Sequence, residues 1–144
     1  MQIQQGNLWE YHDRGHWVCV PTNGVVNAQN LLIMGKGVAG EAAERFPRLR
    51  RILGDNVRRQ GNIPILCFEE RVISFPTKHH WKDNSDLSLI RASAETLKLC
   101  WPFVRDLSTM AGKQPLPICL PKVGCGNGGL DWNTQVLPIL NGLL

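Results

Sequence analysis

Four glycines in six positions, Gly124, Gly126, Gly128 and Gly129, constrain this chain more than any other stretch. An apolar run, Leu116-Pro-Ile-Cys-Leu120, leads into them, and Asp131 follows as a helix-start signal. Glycines placed after a strand and before a helix let the backbone approach a bulky anion closely. Backbone N–H groups then converge on phosphate, helped by the positive end of the helix. The segment Pro121 to Trp132 therefore reads as a loop that holds a phosphorylated ligand.

The rest of the chain must supply a scaffold for that loop. Its 144 residues suit one domain, residues 1–144, with a real core. A net charge of +4 suits a phosphate-rich ligand, although the basic residues are scattered rather than massed. The five cysteines are odd in number, form no Cys-x-x-Cys pair and sit mostly in apolar runs. They read as buried thiols of a reducing, cytoplasmic compartment rather than a disulfide frame. Met1-Gln-Ile-Gln-Gln lacks the basic start and apolar stretch of a signal peptide. The uncharged run His16–Gly35 is too polar to span a bilayer, so no membrane partner is expected.

Short apolar runs alternate with helical patterns. Trp17–Pro21, Pro64–Phe68, Arg71–Phe75 and Leu116–Leu120 read as strands. Gly37 to Phe46 reads as a helix stopped by Pro47, and Leu49, Ile52, Leu53 and Val57 mark a second. A third starts near Ser85 or Asp86, with Leu87, Ile90, Ala94, Leu97 and Trp101 as its stripe, and Pro102 should end or kink it. Asp131 caps a last helix in which Pro138 is an irregularity. The alternation predicts an α/β layered domain, whose ligands bind beyond the carboxyl ends of the strands. Three polar or glycine-rich segments fall there: Thr22–Gly37, Pro76–Lys82 and Pro121–Leu130. Their convergence on one crevice is the central structural expectation.

Each segment has a chemical reading beside a plain one. In the first, Gly35 and Gly37 flank Lys36 at a helix mouth, where amides would meet phosphate; neither a P-loop nor a Rossmann fingerprint is present. Asn23 either orients a ribose hydroxyl or simply forms a turn. In the second, Lys78 either attacks an electrophilic sugar carbon as a neutral amine or only pairs with phosphate. Trp81 either packs or walls a nucleoside. His79 and His80 point opposite ways on an extended segment, and His12 and His16 add no ligand spacing, so no metal is expected. In the third, Cys125 reads as a small residue that fits its loop, because no histidine partner is evident. Asp131 reads as a helix cap rather than a general acid, and no carboxylate pair suggests glycosidase-type catalysis.

Pro21-Thr-Asn-Gly, Met34-Gly-Lys-Gly-Val-Ala, Phe75-Pro-Thr-Lys-His-His-Trp and Val123-Gly-Cys-Gly-Asn-Gly-Gly-Leu-Asp-Trp occur in that order. Together they resemble a macrodomain, the ADP-ribose-binding fold, over nearly the whole chain. The branch they resemble holds the terminal ADP-ribose protein glycohydrolase and the bacterial antitoxins that remove ADP-ribose from DNA. The resemblance implies a three-layer α/β/α sandwich around a mixed sheet. It implies an ADP-ribose crevice formed by Asn7, Leu8, Asn23, Met34, Gly35, Lys36, Gly37, Val38, Thr77, Pro121, Gly124, Cys125, Gly126, Asn127, Gly128, Gly129 and Leu130. Asn23 would contact the distal ribose. Lys78 takes the place of the lysine that attacks the anomeric carbon of that ribose, forming a covalent lysyl intermediate that water resolves.

The sequence departs from the family pattern in three ways. Gly6-Asn7-Leu8 stands where many macrodomains have Gly-Asp, leaving a carbonyl acceptor for the adenine amine but no charge. Gly128 stands where the protein glycohydrolase has an acidic residue, which leans the match toward the DNA-acting antitoxins. Gly24–Ile33 is longer than in those antitoxins, and the strand that usually follows the final helix is not in the sequence. The expected activity is that of a monomeric hydrolase releasing ADP-ribose from modified DNA or protein, with no cofactor. A non-catalytic ADP-ribose-binding module is the alternative, and a nucleic-acid-binding protein a third.

Overall fold

The computed structural model describes residues 1–144. At its centre, β1 (Val18–Thr22) and β3 (Val72–Pro76) run parallel, with Val18 opposite Val72 and Thr22 opposite Pro76. The two-residue β2 (Leu66–Cys67) pairs antiparallel along the other side of β3, giving a mixed sheet in the order β1-β3-β2.

Two predicted strands are shorter than expected, and proline is the cause in each. Of Leu116–Leu120 only Cys119 joins the sheet, as a parallel bridge to Val18. Cys19 N donates to Cys119 O at 2.8 Å, and Cys119 N donates to Trp17 O at 2.9 Å. Pro115, Pro117 and Pro121 have no N–H to extend that ladder in either direction. Pro64 likewise leaves β2 without a donor at its start. Pairing there continues with Ser74 N donating to Ile65 O at 3.0 Å and Ile65 N donating to Ser74 Oγ at 2.8 Å.

Alternation along the strands divides the core into two halves. Val18, Val20 and Val72 face one side, where they pack with Trp9, Leu32, Met34, Ala42, Leu49 and Leu53. Trp17, Cys19, Ile73 and Phe75 face the other, against Ile90, Ala94, Leu97, Val104, Val123, Val136 and Leu140. A period of two is what a sheet covered on both faces requires. The first layer is α1 (Leu8–Asp13), α2 (Gly37–Arg45) and α3 (Leu49–Gln60); the second is α4 (Leu87–Met110) and α5 (Leu137–Leu143).

The helix starts follow their side-chain caps. Asp86 Oδ1 accepts from Ser88 N at 2.8 Å and opens α4, as predicted. That helix runs through Pro102 to Met110 instead of stopping, and Val104 beyond the proline is fully buried. One missing N–H costs less there than exposing the apolar turns that follow. Asp131 Oδ2 accepts from Thr134 N at 2.8 Å and opens a π-helical turn, Trp132–Val136. Pro138 lies just past it in the first turn of α5, where an absent N–H is harmless. The short helix α1 escapes the sequence reading because six residues carry too little periodicity. No helix is long and apolar enough to cross a membrane.

Because β1, β3 and the Cys119 bridge all run parallel, their carboxyl ends leave the sheet along one edge. The three predicted loops start from that edge.

Candidate functional site

Lys78 sits two residues beyond β3, held from several directions. Thr77 N donates to Thr22 O at 3.0 Å, which continues the β1–β3 ladder into the loop. Thr77 O accepts from Asp86 N at 2.8 Å, which ties the same point to the start of α4. Asn62 Nδ2 donates to Lys78 O at 2.9 Å, and Gly24 N donates to His79 O at 3.1 Å. The backbone being fixed, the half-buried side chain reaches across the crevice. Lys78 Nζ donates to Asn127 O at 3.1 Å and lies 3.5 Å from Trp81 O. The amine and the glycine loop therefore share one face of the sheet edge.

The glycine loop is a single 3₁₀ turn, Gly126–Gly128. Gly126 has φ +63° and no atom within 4 Å of where a Cβ would stand, so open space lies above it. Gly128 is the opposite case. A Cβ there would overlap Ser85 Oγ and lie 3.1 Å from Ser85 Cβ. Ser85 N donates to Gly128 O at 2.8 Å, so the loop is clamped against the start of α4. This packing gives a physical reason for glycine at position 128. The loop borrows no acid from Asp131. That carboxylate accepts from both Thr134 N and Thr134 Oγ1, which holds it below the usual carboxylate range. Cys125 donates to Val123 O, and burial, then the Asp131 charge, pushes its thiol up. A thiol held protonated is a poor nucleophile.

The first loop is organised by asparagines. The buried Asn23 accepts from Val25 N with Oδ1 and donates to Ile33 O with Nδ2, each at 2.9 Å. Its side chain thus closes the loop, the plain reading of the sequence. Asn27 Oδ1 accepts from Gln29 N and Leu31 N. Beyond them Met34 is buried while Gly35, Lys36 and Gly37 stand exposed at the mouth of α2. No atom lies within 4 Å of a Cβ built on Gly35 or Gly37, so this rim too borders open space.

The main cleft takes in only part of the predicted ligand set. Asn7, Leu8, Val38 and Pro121 line a cleft of about 1420 Å³, with Lys122 and Trp132. Asn7 Oδ1 accepts from Trp9 N at 2.9 Å, so the carbonyl expected to meet adenine also caps α1. Asn23, Met34, Gly35, Lys36, Gly37, Thr77, Lys78 and all of Gly124–Leu130 lie outside that lining. The six-residue step from Pro121 to Asn127 limits the distance from the cleft rim to the glycine loop to about 20 Å. A smaller hollow of about 360 Å³, between Arg48, Ile52 and Leu66–Glu70, lies at the other end of the sheet and holds none of these residues. The two adjacent histidines have separate partners: His79 Nε2 meets Asp86 Oδ2 at 3.0 Å, and His80 Nδ1 accepts from Lys82 N at 3.1 Å.

Sequence reasoning missed Asn62 and Ser85. Asn62 fixes the Lys78 carbonyl from the turn after α3, and Ser85 floors the glycine loop. Gly61-Asn62 carries only a turn signal, and a serine before an aspartate cap looks redundant.

No family model matches the chain. Two curated proteins, each named DNA ADP-ribosyl glycohydrolase, are similar to it. The one from Mycobacterium tuberculosis is 30% identical over 122 residues, covering 77% of this chain and 32% of that protein. The one from Thermus aquaticus is 30% identical over 129 residues, covering 83% and 33%. The chain thus spans about a third of the length of the curated relatives it matches. Among solved structures, the macrodomain of Mycobacterium tuberculosis DarG aligns over 97% of this chain and 86% of its own, with TM-score 0.71 and 25% identity. The macrodomain of Thermus aquaticus DarG aligns over 97% and 87%, with TM-score 0.72 and 25% identity. A third, Thermosipho africanus DarTG in complex with ADP-ribose, aligns over 96% of this chain and 37% of its own, with TM-score 0.64 and 22% identity.

Proposed function

We propose, from the premise that this chain is a macrodomain similar to those of the DarG proteins, that it removes ADP-ribose from modified DNA. ADP-ribose is the ligand and product, the modified strand is the substrate, and Lys78 is the nucleophile. The chain acts as one domain and a monomer, and needs no cofactor.

The observation that carries this reading is the 3.1 Å hydrogen bond from Lys78 Nζ to Asn127 O. It brings an amine to the rim of a turn whose Gly126 borders open space. A neutral amine has two N–H bonds and one lone pair. With the N–H groups turned to the Asn127 and Trp81 carbonyls, the lone pair remains for the anomeric carbon of the distal ribose. The nitrogen–carbon bond forms as the bond to the DNA base breaks; the bonding pair leaves with the base, which takes up the proton that the amine loses. The sugar ring opens to give a lysyl imine, water adds to its carbon, and the resulting carbinolamine breaks down to the free amine and ADP-ribose. The glycine rims at Gly35–Gly37 and Gly124–Gly129 hold diphosphate and ribose during both steps.

The lack of an acid at Gly128 favours DNA over protein as substrate. The relatives' printed name, DNA ADP-ribosyl glycohydrolase, supports the same choice. The test is the Lys78→Ala variant, assayed on an ADP-ribosylated oligonucleotide and, by calorimetry, with free ADP-ribose. Turnover should vanish while binding survives. Unchanged turnover would remove Lys78 from the mechanism, and binding by wild type without release would make the chain a reader.

A further inference from the structure

We propose that the outward face of α3 is a track for the DNA phosphates that flank the modified nucleotide, with Arg51, Arg58 and Arg59 as its cations. The proposal rests on the DNA reading above and adds where the rest of the strand lies.

Six of the ten arginines fall between Arg45 and Arg59. The helix α3 sorts those it carries by face. Leu49, Leu53 and Gly54 are buried, and Arg50 turns inward to donate from Nε to Leu32 O at 2.8 Å. Arg48, Arg51, Arg58 and Arg59 are all exposed on the opposite face, as the helical period requires. The helix has one acid, Asp55, and its carboxylate accepts from Asn30 Nδ2. None of these arginines forms a salt bridge; the three in the molecule lie elsewhere. An ordinary solvated helix offsets its cations with acids one turn away. The helix dipole accounts for Arg58 and Arg59 in the last turn, but not for Arg51 two turns earlier. A row of uncompensated guanidinium groups suits a polyanion, and their planar forks match phosphate oxygens.

Position ties this face to the site. Gln60 ends α3, and Asn62, just beyond it, donates to Lys78 O at 2.9 Å. Only three residue steps separate Arg59 from Asn62, so their Cα atoms are at most about 11 Å apart. Arg58 Nη2 donates to Asn27 O at 2.8 Å, which pins the same turn to the first loop. That bond leaves the other N–H groups of the fork free for phosphate. At the helical rise, Arg51 lies about 10 Å beyond Arg58, the span of roughly three phosphates along one strand. Arg48 stands at the far end of the helix, where Glu69 and Glu70 share its hollow, and does not join the track. Free ADP-ribose carries no flanking phosphates, so only a nucleic-acid strand reaches this face.

Two ligands of different length separate the track from the crevice: an ADP-ribosylated nucleoside, and an oligonucleotide carrying one such base. Their binding is followed by fluorescence anisotropy across a salt series in the Lys78→Ala background. Arg51→Gln joined to Arg59→Gln removes no bond to another element. It should weaken oligonucleotide binding about tenfold at low salt and flatten the log–log salt slope by about 1.4–1.8. Arg51→Lys joined to Arg59→Lys keeps the charge and should keep the slope, whereas Arg48→Gln should leave both slope and affinity as they are. Affinities for the nucleoside and for free ADP-ribose should stay within about twofold throughout. With Lys78 intact, the glutamine pair should raise KM and spare kcat. An unchanged slope in the glutamine pair would overturn the proposal. So would an equal loss with the nucleoside, which would move the effect into the crevice. An equal loss with an acidic peptide carrying ADP-ribose would also overturn it, by making the face a protein surface. If wild type releases no ADP-ribose yet the glutamine pair loses oligonucleotide affinity, hydrolysis fails and the track stands. If release is intact and the slope unchanged, only the track falls.

Discussion

Gly128→Ala perturbs the site through a single methyl group, and the structure says what that methyl meets. It would overlap Ser85 Oγ and lie 3.1 Å from Ser85 Cβ, in a place where both residues are buried. Overpacking of this kind costs about 1–3 kcal/mol. The collision falls on a clamp, the 2.8 Å bond from Ser85 N to Gly128 O, so relief must move the glycine loop away from α4. At about 3 °C per kcal/mol for a chain of this size, melting should drop by about 3–9 °C. The displaced loop should also bind free ADP-ribose about tenfold more weakly, the equivalent of one strong hydrogen bond. Ser85→Ala alone should be neutral or mildly stabilising, because Ser85 Oγ is buried without a hydrogen-bond partner. Joined to Gly128→Ala it removes the colliding atom, and a coupling of about 1–2 kcal/mol should appear in the double-mutant cycle. Thermal melts and calorimetry on the four proteins measure this. A Gly128→Ala protein as stable and as tight as wild type, or one that Ser85→Ala fails to rescue, would refute the reasoning.

Asn62→Ala removes the 2.9 Å bond to the Lys78 carbonyl, so turnover on modified DNA should fall about tenfold while free ADP-ribose still binds, as kcat and calorimetry would report. The buried His12 donates from Nε2 to Glu70 O, and burial above all lowers its pKa. Unfolding returns it to about 6.5, so the unfolded chain binds the extra proton first. Stability is then complete above about pH 6.5 and declines as pH falls below it; urea midpoints from pH 8 to 5 would record the decline, and His12→Gln should flatten it. Asp86, held below the usual carboxylate range by its bonds to His79 and Ser88, adds a second loss at lower pH. Its contribution is full above about pH 4 and fades as pH falls through the lowered pKa, a fall that Asp86→Asn should blunt.

The sheet edge was legible because strand residues carry their own signature. Val18 and Val20 alternate with Cys19, and Val72 with Ile73, and that pattern alone orders two core faces. The loops followed, since glycine and asparagine mark turns by backbone chemistry. Lys78 was legible as a residue just past the predicted strand Arg71–Phe75, and the structure puts its amine 3.1 Å from Asn127 O. Extents were not legible where proline competes with pairing or packing. Pro117 and Pro121 cut the fourth strand to one bridge, yet Pro102 did not stop α4, because Val104 beyond it is buried. Asn62 and Ser85 stayed hidden for another reason: each acts on a loop 16 or more residues away, and no local pattern encodes that meeting.

The proposed nucleophilic role of Lys78 is tested most directly by catching a covalent intermediate. Borohydride added during turnover of an ADP-ribosylated oligonucleotide should reduce the ring-opened lysyl adduct and fix it. Peptide mass spectrometry should then find the added mass on Lys78, and on none of Lys36, Lys82, Lys98, Lys113 and Lys122. Continued release of ADP-ribose with no adduct on Lys78, or with the adduct on another lysine, would contradict the account.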